Sequence, residues 1–124
     1  MRITIVGCGA MGSIYAALLA DAGNEVAVVD ANQAHVDAIN DRGLRVSGAS
    51  GDRTVDIEAH LNPPNCVADL VVCSVKARHV ASAAASLPPL LGPETIVLTI
   101  QNGLGSAEAL AAVVAADQLM VGVA

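Results

Sequence analysis

Three groups of residues in this chain have the types and spacing to do chemistry. The first is a glycine loop, Gly7-Cys8-Gly9-Ala10-Met11-Gly12, with glycine at each fixed position of a G-x-G-x-x-G pattern. Gly7 allows a sharp turn with positive φ. Gly9 removes the Cβ that would hold a pyrophosphate off the backbone, and Gly12 lets the next helix lie close on the preceding strand. The second is Asp30, 18 residues after Gly12, where a carboxylate can accept hydrogen bonds from an adenosine ribose. The third is a pair of polar residues after apolar runs, Lys76 and Asn102. Their ammonium and amide can hydrogen-bond a nicotinamide ribose and a substrate oxygen. Gly7, Cys8, Gly9, Ala10, Met11, Gly12, Asp30, Lys76 and Asn102 are therefore the candidate dinucleotide-binding residues, with Asn102 and Lys76 closest to the chemistry.

These residues work only if the right elements hold them. A lone glycine loop is a weak signal. Here it follows the strand Arg2–Val6, opens a helix over Ala10–Ala22 that Gly23-Asn24 stops, and leads to a second strand, Glu25–Val29, closed by the acid. That strand–loop–helix–strand–acid order within about 30 residues is a strong signal for dinucleotide binding. The helix start presents unpaired N–H groups and roughly half a positive charge to the phosphates.

Further along, strand and helix keep alternating. The pattern predicts a helix over Gln33–Asp41 and an antiparallel pair, Leu44–Ser47 with Thr54–Glu58. It then predicts a loop over Asn62–Asn65, a strand over Asp69–Ser74, and a helix from about Arg78 to Leu87 ended by Pro88-Pro89. A strand over Thr95–Ile100, the loop Gln101–Gly105, a helix over Ser106–Ala116 and a strand from Leu119 to Ala124 complete it. The fold class is α/β: a Rossmann-type doubly wound, mostly parallel sheet with a small β-hairpin insertion. Residues 1–124 read as one dinucleotide-binding domain, and the final strand running to Ala124 leads us to expect that the natural protein continues.

Composition sets outer bounds. The chain has 124 residues, 54% hydrophobic, with no Phe or Trp and only Tyr15 as an aromatic. Its continuous Ala, Val, Ile and Leu runs suit strands covered on both faces. No run approaches the length of a membrane span, and Met1-Arg2-Ile3 enters a strand directly, so a cytoplasmic protein without a membrane partner is expected. A net charge of −6 without a basic patch argues against nucleic acid. Cys8, Cys66 and Cys73 lack metal-ligand spacing, so no metal is expected, and Cys8 and Cys73 read as small buried residues. His35, His60 and His79 read as surface or packing residues.

The choice of dinucleotide turns on Asp30. Its negative charge opposes a 2′-phosphate, and Ala31-Asn32-Gln33 brings no cation to offset it. Physics alone favours NAD(H); the competing reading makes Asp30 only a cap for the next helix.

Four motifs in order and spacing, Gly7–Ser13, the hairpin residues Gly43-Leu44-Arg45-Val46, Ser74-Val75-Lys76-Ala77 and Gln101-Asn102-Gly103-Leu104-Gly105, resemble the amino-terminal domain of the ketopantoate reductase (2-dehydropantoate 2-reductase) family. The resemblance spans essentially all 124 residues. It implies NADP(H)-dependent reduction of a 2-keto acid, ketopantoate to pantoate, in pantothenate biosynthesis. It also implies that Lys76 is the cofactor-side lysine and that Asn102 contacts nicotinamide ribose and substrate. The family's general-acid lysine and substrate-binding glutamate lie in a helical second domain, absent from this chain, so these residues alone should bind a dinucleotide and reduce little. Asp30-Ala31 departs from members that hold the 2′-phosphate with an arginine, and points to relatives that use NAD and make D-2-hydroxy acids. A 3-hydroxyacid or 6-phosphogluconate-like dehydrogenase and a nucleotide-sensing module without chemistry are the rival readings. An exposed last strand would favour a homodimer.

Overall fold

The computed structural model describes residues 1–47, 52–76, 79–100 and 106–121. Its main sheet has six parallel strands: β1 (Arg2–Val6), β2 (Glu25–Val29), β5 (Glu58–His60), β6 (Leu70–Cys73), β7 (Ile96–Thr99) and β8 (Leu119–Val121). Their spatial order is β5-β2-β1-β6-β7-β8. The chain first winds outward from β1 to one edge, then returns to the other side of β1 and winds to the opposite edge. The sheet is thus doubly wound, as the alternation of strand and helix implied.

Alternation along each strand assigns the two faces. Ile3, Ile5, Val26, Val28, Ala59 and Val72 face one way, under helices α1 (Ala10–Asp21) and α2 (Gln33–Arg42). Val6, Val29, Val71, Cys73 and Val97 face the other way, under α3 (Val80–Ser86), the Pro88–Leu90 turn and α4 (Ser106–Ala111). Without Phe or Trp, the interior is filled by small branched side chains and by Leu87, Leu90 and Leu110, all fully buried, with Tyr15 packed partly buried against it. Asn32 caps α2 by accepting from the His35 N–H at 3.1 Å, and Gly43, at φ +83°, ends it.

The hairpin insertion is shorter than expected. β3 (Leu44–Val46) pairs antiparallel with β4 (Arg53–Val55) and tucks Leu44, Val46 and Val55 beneath α1. The expected strand over Thr54–Glu58 is two elements: β4 ends at Val55, and β5 joins the main sheet beside β2. Glu58-Ala59-His60 has a single apolar residue and no periodic signature. It is a strand because β2 pairs with it and because the Asn40 side chain bonds both the Ala59 N–H and C=O, each at 2.9 Å. The third and fourth helices are also shorter than the expected Arg78–Leu87 and Ser106–Ala116.

The register aligns the carboxyl ends of the strands. His60, Val29, Val6, Cys73, Thr99 and Val121 form one row across the sheet. The next residues along the chain, Leu61, Asp30, Gly7 and Ser74, therefore stand side by side along one rim.

Candidate functional site

At the centre of that rim the chain leaves β1 on one side and β6 on the other, which is the switch point where ligands bind in open α/β sheets. A cleft of about 810 Å³ opens there. Gly7, Gly9, Asp30, Ala31, Asn32, Leu61, Asn62, Ser74, Lys76, His79, Ser82 and Ser86 contribute to its walls.

The glycine loop is built as its sequence requires. Gly7 has φ +94°, and a Cβ there would lie 2.7 Å from Val75 Cγ1 and 2.8 Å from the Val75 nitrogen. A Cβ on Gly12 would run into the Gly7 carbonyl oxygen, so α1 can approach β1 only with glycine at that position. A Cβ on Gly9 would meet no atom of the described residues within 4 Å, and Gly9 lines the cleft. Gly9 caps α1 with its backbone alone and supplies no side-chain capping hydrogen bond. The backbone of Ala10 and Met11 begins that helix, with the Met11 side chain exposed.

Asp30 is bound more closely to the loop than a solvated acid would be. One carboxylate oxygen accepts the Cys8 N–H and the other the Asn32 N–H, each at 2.9 Å. The α2 cap is Asn32, not Asp30. A carboxylate has about four lone-pair positions, so two remain for groups entering the cleft. The neighbouring Cys8 is buried, and that burial raises its thiol pKa, as it does for Cys73. Both cysteines are the small buried residues the sequence led us to expect.

Two contacts and one placement go beyond the sequence reading. Ser74 Oγ donates to the Gly7 carbonyl at 2.6 Å, tying the start of the Lys76 loop to the glycine loop. His35 Nε2 lies 2.9 Å from the Cys8 carbonyl, a contact beyond the residue's reading as surface or packing. His79 is exposed, in keeping with its reading as a surface or packing residue, and it also lines the cleft. Ser74 could have been found by noting that it and Gly7 each follow the last residue of an adjacent strand; no sequence signal announces the other two.

Thus the structure gathers Gly7, Cys8, Gly9, Ala10, Met11, Gly12, Asp30 and Lys76 at one rim, with Lys76 in the cleft wall. Asn102 and the rest of its loop lie outside the described residues. Among the described residues there is no group of acids, histidines and cysteines that could hold a metal ion, and no helix long and apolar enough to cross a membrane. Among the described residues, one cleft thus brings together open glycine backbone, a carboxylate at Asp30 with acceptor positions to spare, and a cation at Lys76.

Comparison with known proteins gives a consistent result. The family model described as ketopantoate reductase PanE/ApbA matches residues 3–124. A 2-dehydropantoate 2-reductase from Lactococcus lactis is 32% identical over 126 residues, covering 98% of this chain and 40% of the relative. The crystal structure of a PanE/ApbA family ketopantoate reductase from Ralstonia eutropha JMP134 superposes with a TM-score of 0.85 at 37% identity, over 98% of this chain and 40% of that one. A D-mandelate dehydrogenase solved with NADH and anilino(oxo)acetate gives a TM-score of 0.92 at 27% identity, over 99% and 40%. The chain spans about two fifths of the length of the proteins it matches.

Proposed function

Because the chain belongs to the ketopantoate reductase family, we propose that residues 1–124 are the dinucleotide-holding domain of a 2-keto acid reductase with ketopantoate as its substrate and NAD(H) as its preferred cofactor. The observation that carries this is the cleft at the switch point, where the space beside Gly9 is open and the Asp30 carboxylate faces the same volume. A bound reduced nicotinamide supplies the hydride that turns the ketone into a 2-hydroxy acid. The residues of this chain bind and orient. The glycine loop takes the pyrophosphate on its backbone N–H groups, and Asp30 accepts the adenosine ribose hydroxyls with its two remaining lone-pair positions. Lys76 sits towards the nicotinamide half, and Asn102 orients ribose and substrate oxygen. The proton for the new hydroxyl comes from outside these residues.

The preference for NAD(H) over NADP(H) rests on the tethering of Asp30. A carboxylate fixed at both oxygens cannot swing aside to admit a 2′-phosphate. The same feature supports a second reading within the family, an NAD-dependent D-2-hydroxyacid dehydrogenase acting on aromatic or branched 2-keto acids. Affinity for NADH and NADPH, followed by turnover of ketopantoate and of an aromatic 2-keto acid by the full-length protein, tests both. Failure to bind either dinucleotide would refute the whole reading; faster turnover of the aromatic acid would select the second substrate class.

A further inference from the structure

We propose that His35 is a positioning residue that sets the direction of the Gly9 N–H, and so the geometry of the phosphate-binding loop. The proposal rests on the dinucleotide reading of the cleft, but its geometry stands by itself. Two successive peptide planes make up the front of the loop. In the first, Gly7–Cys8, the carbonyl accepts from Ser74 Oγ at 2.6 Å and the N–H donates to Asp30 at 2.9 Å. In the second, Cys8–Gly9, the carbonyl oxygen lies 2.9 Å from His35 Nε2. Three of the four polar groups are thereby committed to protein partners. The fourth, the Gly9 N–H, donates to no group among the described residues, and Gly9 borders the cleft.

Planarity makes the consequence specific. A trans peptide holds its C=O and N–H antiparallel, so pinning the Cys8 carbonyl towards α2 aims the Gly9 N–H the opposite way. A carbonyl can only accept, so His35 must carry its proton on Nε2. Ser13 Oγ also approaches the Cys8 carbonyl, at 3.5 Å, too long to hold the plane alone. His35 itself is fixed at the third position of α2, where its backbone N–H donates to the Asn32 cap. Without the imidazole, the second plane is free to rotate about bonds that glycine leaves soft.

The test compares wild type with His35→Ala and His35→Gln, whose amide can present an N–H at similar reach. NADH titration followed by nicotinamide fluorescence should show His35→Ala binding about tenfold more weakly, the worth of one hydrogen bond of about 1.4 kcal/mol. His35→Gln should recover most of that loss. Nitrogen chemical shifts of the wild-type imidazole should show the Nε2–H tautomer, and the Gly9 amide resonance should move in His35→Ala and return in His35→Gln. Equal binding by His35→Ala, or a His35→Gln variant as weak as His35→Ala, would overturn the proposal. A wild-type chain that binds no NADH yet shows the tautomer and the Gly9 shift would refute the reading of the cleft and leave the clamp standing. An Nδ1–H tautomer would refute the clamp itself.

Discussion

Replacing Asp30 by Asn removes one charge while keeping the side chain nearly the same size, and it separates the two jobs this residue holds. A 2′-phosphate bound at the adenosine ribose would sit within about 5 Å of the carboxylate, and the site is half-buried, so an effective dielectric near 40 is reasonable. Each unit of charge then contributes about 1.7 kcal/mol, and a phosphate carrying nearly two contributes about 3 kcal/mol of repulsion. Asp30→Asn should therefore shift the NADH-to-NADPH affinity ratio by roughly a hundredfold towards NADPH. NADH binding should itself weaken by about tenfold. The charge-assisted bonds to the Cys8 and Asn32 N–H groups become neutral, and the new amide directs a donor at one of those donors. The measurement is a pair of fluorescence titrations, one per cofactor, repeated at low and high salt because the repulsive part is screened and the hydrogen bonds are not. A ratio that moves less than about threefold would mean the carboxylate does not face the 2′ position, and the preference for NAD(H) would fall with it.

Gly12→Ala should lower stability by about 3 kcal/mol or more and abolish cofactor binding, because its Cβ meets the Gly7 carbonyl and pushes α1 off β1; urea unfolding with an NADH titration checks this. Lys76→Met keeps the aliphatic stem and removes a cation exposed to solvent. It should leave the unfolding midpoint within about 0.5 kcal/mol while weakening NADH binding several-fold, and an unchanged affinity would remove Lys76 from the site. Burial holds the Cys8 and Cys73 thiols protonated past their ordinary pKa. Above about pH 8.5 the unfolded chain loses those protons first, so the folded chain binds more protons and stability falls as pH rises. Urea midpoints at about pH 7.5 and about pH 9.5 should show that fall, and Cys73→Ala should reduce it; an identical slope in the variant would refute the assignment.

The sequence carried the site further than it carried the fold's edges. Gly7, Gly9, Gly12 and Asp30 are legible because each answers a local steric or electrostatic demand, and the apolar runs around them are long enough to declare their period. β5 is different: Glu58-Ala59-His60 becomes a strand only through its neighbour β2 and the Asn40 amide, both of which are tertiary. The same reason hid His35. Its partner carbonyl lies 27 residues earlier, and no spacing rule links the third residue of a helix to a peptide in another loop. The fourth helix is shorter than its alanine-rich sequence implies, because the chain turns after Ala111 while still burying Val114 in the core.

The strand order also bears on how the cleft comes into being. β1 meets β2 through a single intervening helix, but its other neighbour is β6, where Ile3 pairs with Leu70, 67 residues on. The first contact closes early and cheaply; the second requires closure of a long loop and belongs late in folding. The cleft straddles that seam, with Asp30 on the early side and Ser74 and Lys76 on the late side. A dinucleotide seated there would act as a staple across the last junction to form, slowing the parting of the two halves as well as marking their union. Unfolding rates measured with saturating cofactor should therefore fall more than refolding rates rise.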